Sequence, residues 1–91
     1  MEFEWSPQKA VSNFRKHQVS FTEAATVFSD ELSVTIPDPE HSASEDRFIL
    51  IGWSKRRRLL MVAHTERGNK VRIISARELT RAERKAYEQE N

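Results

Sequence analysis

Ninety-one residues, no cysteine and a formal net charge of +1 set the first limits. A chain this short builds one modest core, has no disulfide or thiolate-held metal to staple it, and is not marked as a nucleic-acid binder by its total charge. Hydrophobic residues at 37% against charged residues at 32% fit a folded domain and exclude a disordered one.

Phe3-Glu4-Trp5 alternates apolar and polar residues, as a half-buried strand does. Ser6 is an N-cap type and Pro7 suits the first helical position, so a helix is expected from Pro7 to about His17 with Ala10, Val11 and Phe14 as its apolar stripe. Ser20-Phe21-Thr22-Glu23 reads as a capping box, and Phe21, Ala24, Ala25 and Phe28 continue as one helical face to about Ser29. Leu32 to Ile36 is a short β-branched strand stopped by Pro37-Asp38-Pro39, and Glu40 to Asp46 is a polar loop. Arg47 to Ser54, Arg58 to Glu66 and Lys70 to Arg77 are three further strands. They are joined by the basic turn Lys55-Arg56-Arg57 and by Gly68-Asn69, and should form an antiparallel meander. Thr80-Arg81-Ala82-Glu83 is a second capping box, opening a last helix with Ala82, Ala86 and Tyr87 on one face.

The order β-α-α-β-β-β-β-α predicts an α+β fold: a small antiparallel sheet, two N-terminal helices on one face and a C-terminal helix. The whole chain, 1–91, reads as one domain. No apolar run approaches the roughly 18 residues of a membrane helix, and the N-terminus lacks a signal-peptide pattern, so a cytoplasmic protein without membrane contact is expected. Strict alternation puts Val71, Ile73, Ser75 and Arg77 on one face of the last strand and Arg72, Ile74 and Ala76 on the other. The sheet is then apolar on both faces, and the face away from the first two helices needs a cover.

Acidic residues gather between Glu23 and Asp46, basic ones from Arg47 to Arg72, so a nearly neutral chain still carries a basic region. RNA cleavage through the 2′-hydroxyl needs proton transfer and cations for the charged phosphorane. His64 and Glu66 are candidates for proton transfer, and Arg72 and Arg77 for a phosphate clamp through the guanidinium fork. Surface charge pairs at a strand end are the plainer alternative. Lys16 and His17 end the first helix, where its dipole favours cations, and they also suit a phosphate. The turn holding Arg56 and Arg57 is either solvated or a backbone contact. Tyr87 either packs or stacks on an unpaired base. His41 in the polar loop reads as solvent-exposed. Asp38, Glu40, His41, Glu45 and Asp46 match no metal-ligand spacing, and with two glycines there is no phosphate-cradling loop, so neither metal nor cofactor is expected.

Several runs resemble one family, the BrnT toxins: Phe3-Glu4-Trp5 with Pro7, Lys9 and Asn13, then Lys16-His17 with Val19-Ser20-Phe21. Asp38-Pro39, Glu45-Asp46-Arg47 and His64-Thr65 with Arg67 follow, and then Arg72-Ile73-Ile74-Ser75-Ala76-Arg77 and Glu83-Arg84 with Tyr87-Glu88. The resemblance spans essentially the whole chain. It implies a fold similar to RelE-type ribonucleases and a metal-independent endoribonuclease that arrests translation. It also implies a BrnA-like ribbon-helix-helix antitoxin, two toxins per antitoxin dimer, with operator DNA reached only through the antitoxin. On that reading His64, Glu66, Arg72, Arg77 and Tyr87 form the site, and Lys9, Lys16, His17, Arg56, Arg57 and Arg67 contact RNA. The alternative is a non-catalytic module that joins a DNA-binding partner as co-repressor.

Overall fold

The structure, a computed structural model, describes residues 1–38 and 46–90. The expected loop from Glu40 to Asp46, His41 included, lies outside them except for Asp46. The elements are β1 (Glu2–Glu4), α1 (Pro7–His17), α2 (Phe21–Thr26), a 3₁₀ turn (Val27–Ser29), β2 (Val34–Pro37), β3 (Arg47–Trp53), β4 (Leu59–Arg67), β5 (Lys70–Glu78) and α3 (Arg81–Glu90). Among the described residues no helix is long and apolar enough to cross a membrane.

The five strands form one sheet in the order β1-β5-β4-β3-β2. β2, β3, β4 and β5 pair antiparallel as neighbours, but β1 runs parallel to β5, with Glu2, Phe3 and Glu4 opposite Lys70, Val71 and Arg72. The expectation of a purely antiparallel sheet is therefore corrected to a mixed one. The reason is long-range. β1 must deliver the chain toward the far end of β5, because α1 follows at once and packs along the rest of that strand. An antiparallel β1 would send α1 off the opposite end.

β1 covers only the first three residues of β5. Beyond them the exposed strand edge would leave backbone groups open. Asn13 of α1 fills part of this gap: its Oδ1 accepts from the Ala76 N–H at 3.0 Å, and its Nδ2 donates to the Ala76 carbonyl at 2.8 Å and to the Val19 carbonyl at 3.0 Å. A side-chain amide thus pairs with β5 as another strand would. It also explains why the expected α1 stripe is displaced: Asn13 is buried, while Val11 and Phe14 are about half exposed.

The core joins Val19, Phe21, Ala24 and Val27 to Leu50, Leu60, Val62, Ile73 and Ala76 on one sheet face. Phe3 and Phe28 meet edge-on beside it at 5.1 Å. Gly52 is required by close approach, since a Cβ there would lie 2.8 Å from Ser33 Cβ and 2.9 Å from Asp30 Oδ2. The basic hairpin turn closes through Arg57 N–H to the Ser54 carbonyl at 2.9 Å, with Arg57 itself at φ 63. That left-handed position usually takes glycine, and here Arg57 holds it, so the turn closes without one.

The first capping box is half of what was expected. Ser20 Oγ accepts from Glu23 N–H at 3.0 Å, but the Glu23 carboxylate turns inward. It accepts from Ser54 Oγ at 2.7 Å and from Arg58 Nε at 3.0 Å, with Arg58 Nη2 closing the pair. Arg58 holds its carboxyl below the usual value of 4.5, against the opposing effect of burial. Removing one partner of a buried pair strands the other. Arg58 is a quarter exposed, so Arg58→Ala should cost about 3 kcal/mol in urea unfolding at neutral pH. Because the folded pKa of Glu23 is depressed, its contribution is present above 4.5 and lost as pH falls through the folded value. The gap between wild type and variant should therefore narrow on acidification below 4.5. A gap that stays constant there would rule out this ion pair as its source.

Candidate active site

Strict alternation along β5 predicts that Arg72 and Arg77, an odd number of residues apart, face opposite ways. The structure corrects this. The register shifts beside His64: Ile73 opposes His64 and Ser75 opposes Ala63, so Ile74 is an extra residue without a partner. A bulge of one residue reverses the parity beyond it. Ala76 thereby turns into the core, and Arg72, Ser75 and Arg77 share the other face with Thr65, Ala63 and Met61.

On that face a concave site of about 580 Å³ is lined by Lys16, His17, Asp38, Ile49, Met61, Ala63, Ser75, Ala76, Arg77 and Glu83. Helices α1 and α3 and strands β3, β4 and β5 build it, with Asp38 just past the end of β2. The C-terminal end of α1 supplies Lys16 and His17, whose position follows from Asn13 docking one turn earlier. β4 and β5 supply an apolar floor with Ser75 and Arg77 at its side. The first turn of α3 supplies Glu83, fixed by a complete capping box: Glu83 N–H donates to Thr80 Oγ1 at 3.2 Å and Thr80 N–H to Glu83 Oε1 at 2.9 Å.

Arg77 and Glu83 form a two-pronged pair at 2.8 and 3.0 Å. Arg77 pulls the Glu83 carboxyl down to about 2, helped by the Thr80 N–H, and Glu83 in turn raises Arg77. His17 is half-buried and its pKa lies below the ordinary 6.5, first through burial and then through the charges of Lys16 and Arg77. A neutral imidazole among cations can accept a proton at neutral pH while its neighbours stabilise an anion.

The other expected site residues lie elsewhere. His64 is 1% exposed on the core face, 4.9 Å from the Phe28 ring and 5.9 Å from Phe48. Burial lowers its pKa, against small opposing effects of the Val62 carbonyl and Glu66. Glu66 is exposed, 4.0 Å from His64 Nε2. Arg72 pairs with Glu4 at 3.4 Å. Tyr87 donates to the Leu32 carbonyl at 3.3 Å and lines a separate cleft with Leu32, Trp53 and Glu88, so it is not beside Arg77. Glu83 and Tyr87 face inward on α3 while Ala82 and Ala86 are exposed, which corrects the expected face of that helix. Arg56 and Arg57 occupy the hairpin at one end of β4 and Arg67 the other end, about 30 Å away at ~3.4 Å per residue. Lys9 is exposed on the first turns of α1. Neither Ser75 nor Glu83 is marked by the sequence as a site residue: a lone serine carries no signal, and Glu83 already fits a capping box.

A sequence model of the family described as ribonuclease toxin, BrnT, of type II toxin–antitoxin systems matches residues 5–83. The fold is similar to the crystal structure of the Brucella abortus ribonuclease toxin BrnT, with a TM-score of 0.70 and 21% identity over 89% of this chain and 99% of that one. No curated protein matches the sequence.

Proposed function

The chain belongs to the BrnT family of ribonuclease toxins of type II toxin–antitoxin systems, and from that premise we propose that its 91 residues act as one metal-independent endoribonuclease on cellular RNA in the cytoplasm, with a RelE-like architecture. The observation that supports this most is the convergence of His17, Lys16 and Arg77 on one concave face. There His17 takes the proton of a ribose 2′-hydroxyl and the oxygen attacks the adjacent phosphorus. The bond to the 5′-oxygen breaks, and that oxygen takes a proton from water. The products are a 2′,3′-cyclic phosphate and a 5′-hydroxyl. Lys16 and Arg77 stabilise the negative charge of the phosphorane. Arg72, Arg67, Arg56, Arg57 and Lys9 would track the RNA backbone rather than act on the reacting bond. A BrnA-like ribbon-helix-helix antitoxin, two toxins around its dimer, would neutralise the activity and carry the pair to operator DNA.

The test is incubation of the purified, folded chain with RNA in the presence of EDTA, with mapping of the new ends. Discrete cuts ending in 2′,3′-cyclic phosphate, suppressed by the antitoxin, are expected. Intact RNA with tight antitoxin binding would instead leave a co-repressor module.

The pH dependence follows from His17. As a base it must be unprotonated, so the cleavage rate should rise with pH, level off, and have its midpoint below 6.5. His17→Gln should lose this rise together with most of the rate. A rise of unchanged midpoint in that variant would assign the proton transfer to another group.

A further inference from the structure

The hydrogen-bond inventory of Arg77 is nearly full. Nη1 donates to Glu83 Oε1 at 2.8 Å and to the Glu78 carbonyl at 3.2 Å; Nη2 donates to Glu83 Oε2 at 3.0 Å and to Met61 Sδ at 3.3 Å. A guanidinium has five N–H donors, and these contacts use the four on its terminal nitrogens. A planar carboxylate on those two nitrogens has the same two-oxygen geometry as a phosphate. Arg77 therefore cannot hold a phosphate by its fork while Glu83 is in place.

We infer that Glu83 is an internal competitor for the phosphate position, so that RNA engages Arg77 by exchanging a backbone phosphate for the Glu83 carboxylate. The inference rests on the reading of Arg77 as a phosphate-binding residue. The exchange is local. Glu83 belongs to the first turn of α3, and its pair with Arg77 is about a third exposed on both sides. Such a pair is held far less tightly than the buried Glu23–Arg58 pair. Its carboxyl titrates near 2, so at neutral pH the competing charge is always present and only displacement frees Arg77. Free chains would then bind RNA more weakly than their cations allow. Any partner that draws Glu83 aside would activate the site, and one that supplies no such pull would leave it restrained.

The experiment measures binding of a non-cleavable 2′-O-methyl RNA octamer by fluorescence anisotropy. It compares wild type, Glu83→Gln, Glu88→Gln, Arg77→Ala and the double variant Arg77→Ala/Glu83→Gln, all checked for folding. Glu88→Gln makes the same charge change on the same helix. The expected result is affinity about tenfold higher in Glu83→Gln, little change in Glu88→Gln, and no gain from Glu83→Gln when Arg77 is already alanine. An equal gain in Glu88→Gln, a gain that survives the loss of Arg77, weaker binding in Glu83→Gln, or no binding by any chain would overturn the inference. Cleavage of unmodified RNA is scored separately. Cleavage without the affinity gain leaves the ribonuclease reading standing and removes the competitor. The gain without cleavage does the reverse.

Discussion

Arg77→Ala is expected to lower RNA cleavage by about two to three orders of magnitude, the usual cost of removing a charged donor that stabilises a developing anion. The same variant should lose its growth arrest on induced expression at equal protein level. Arg77→Lys should recover only part of the rate, since an ammonium keeps the charge but not the two-pronged donor geometry. The competing account is that Arg77 only anchors α3 through Glu83. On that account Arg77→Ala and Glu83→Ala are equivalent, both loosening α3 and both sparing the chemistry. The two accounts therefore separate on one comparison of cleavage rates in chains of matched folding. Loss in Arg77→Ala but not in Glu83→Ala is the expected outcome. A near-wild-type rate in Arg77→Ala would remove this residue from the site.

The largest effect on stability is expected at Asn13. In Asn13→Ala the Ala76 N–H, the Ala76 carbonyl and the Val19 carbonyl all lose their side-chain partner. A buried polar group left unpaired costs about 1–3 kcal/mol. With some water entering the gap, a total of about 4 kcal/mol is expected, a large part of the margin of a chain this small. Asn13→Asp should fare almost as badly, because a carboxylate cannot donate to either carbonyl. Asn13→Leu, which would fit the apolar pattern of an ordinary helix stripe, should not rescue it. Urea unfolding of the three variants measures this. A cost below about 1 kcal/mol in Asn13→Ala would mean that the edge is satisfied in another way.

Local chemistry made most elements of this fold legible. Ser6-Pro7 and Ser20 start helices, Gly68 turns the last hairpin at φ 63, and Thr80 with Glu83 forms the cap that its spacing predicts. What was not legible depends on residues far apart in the chain. The parallel pairing of β1 joins positions nearly seventy residues apart. Asn13 looks like one more polar helix residue until β5 lies beside it.

The site was half legible for the same reason. Arg77 and the Lys16-His17 pair were named by residue type, and chain folding alone brings them together. His64 has the chemistry of an acid or base, but two aromatic rings and its burial make it a core residue in position. Alternation gave the wrong face for Arg77, because nothing in Ile73-Ile74-Ser75 announces an unpaired residue. Two adjacent isoleucines, one buried and one half-buried, read equally well as a regular strand end.

That unpaired isoleucine works on the sheet as a one-letter insertion works on a coding frame. Everything before it keeps one phase and everything after it keeps the other. The phase beyond it depends on Ile74 staying outside the ladder. Were Ile74 drawn into plain alternation against β4, the chain would keep every functional group it now has, but Arg77 would turn toward the core and Ala76 toward the open face. The site would then be lost through a change of phase with no change in its chemistry.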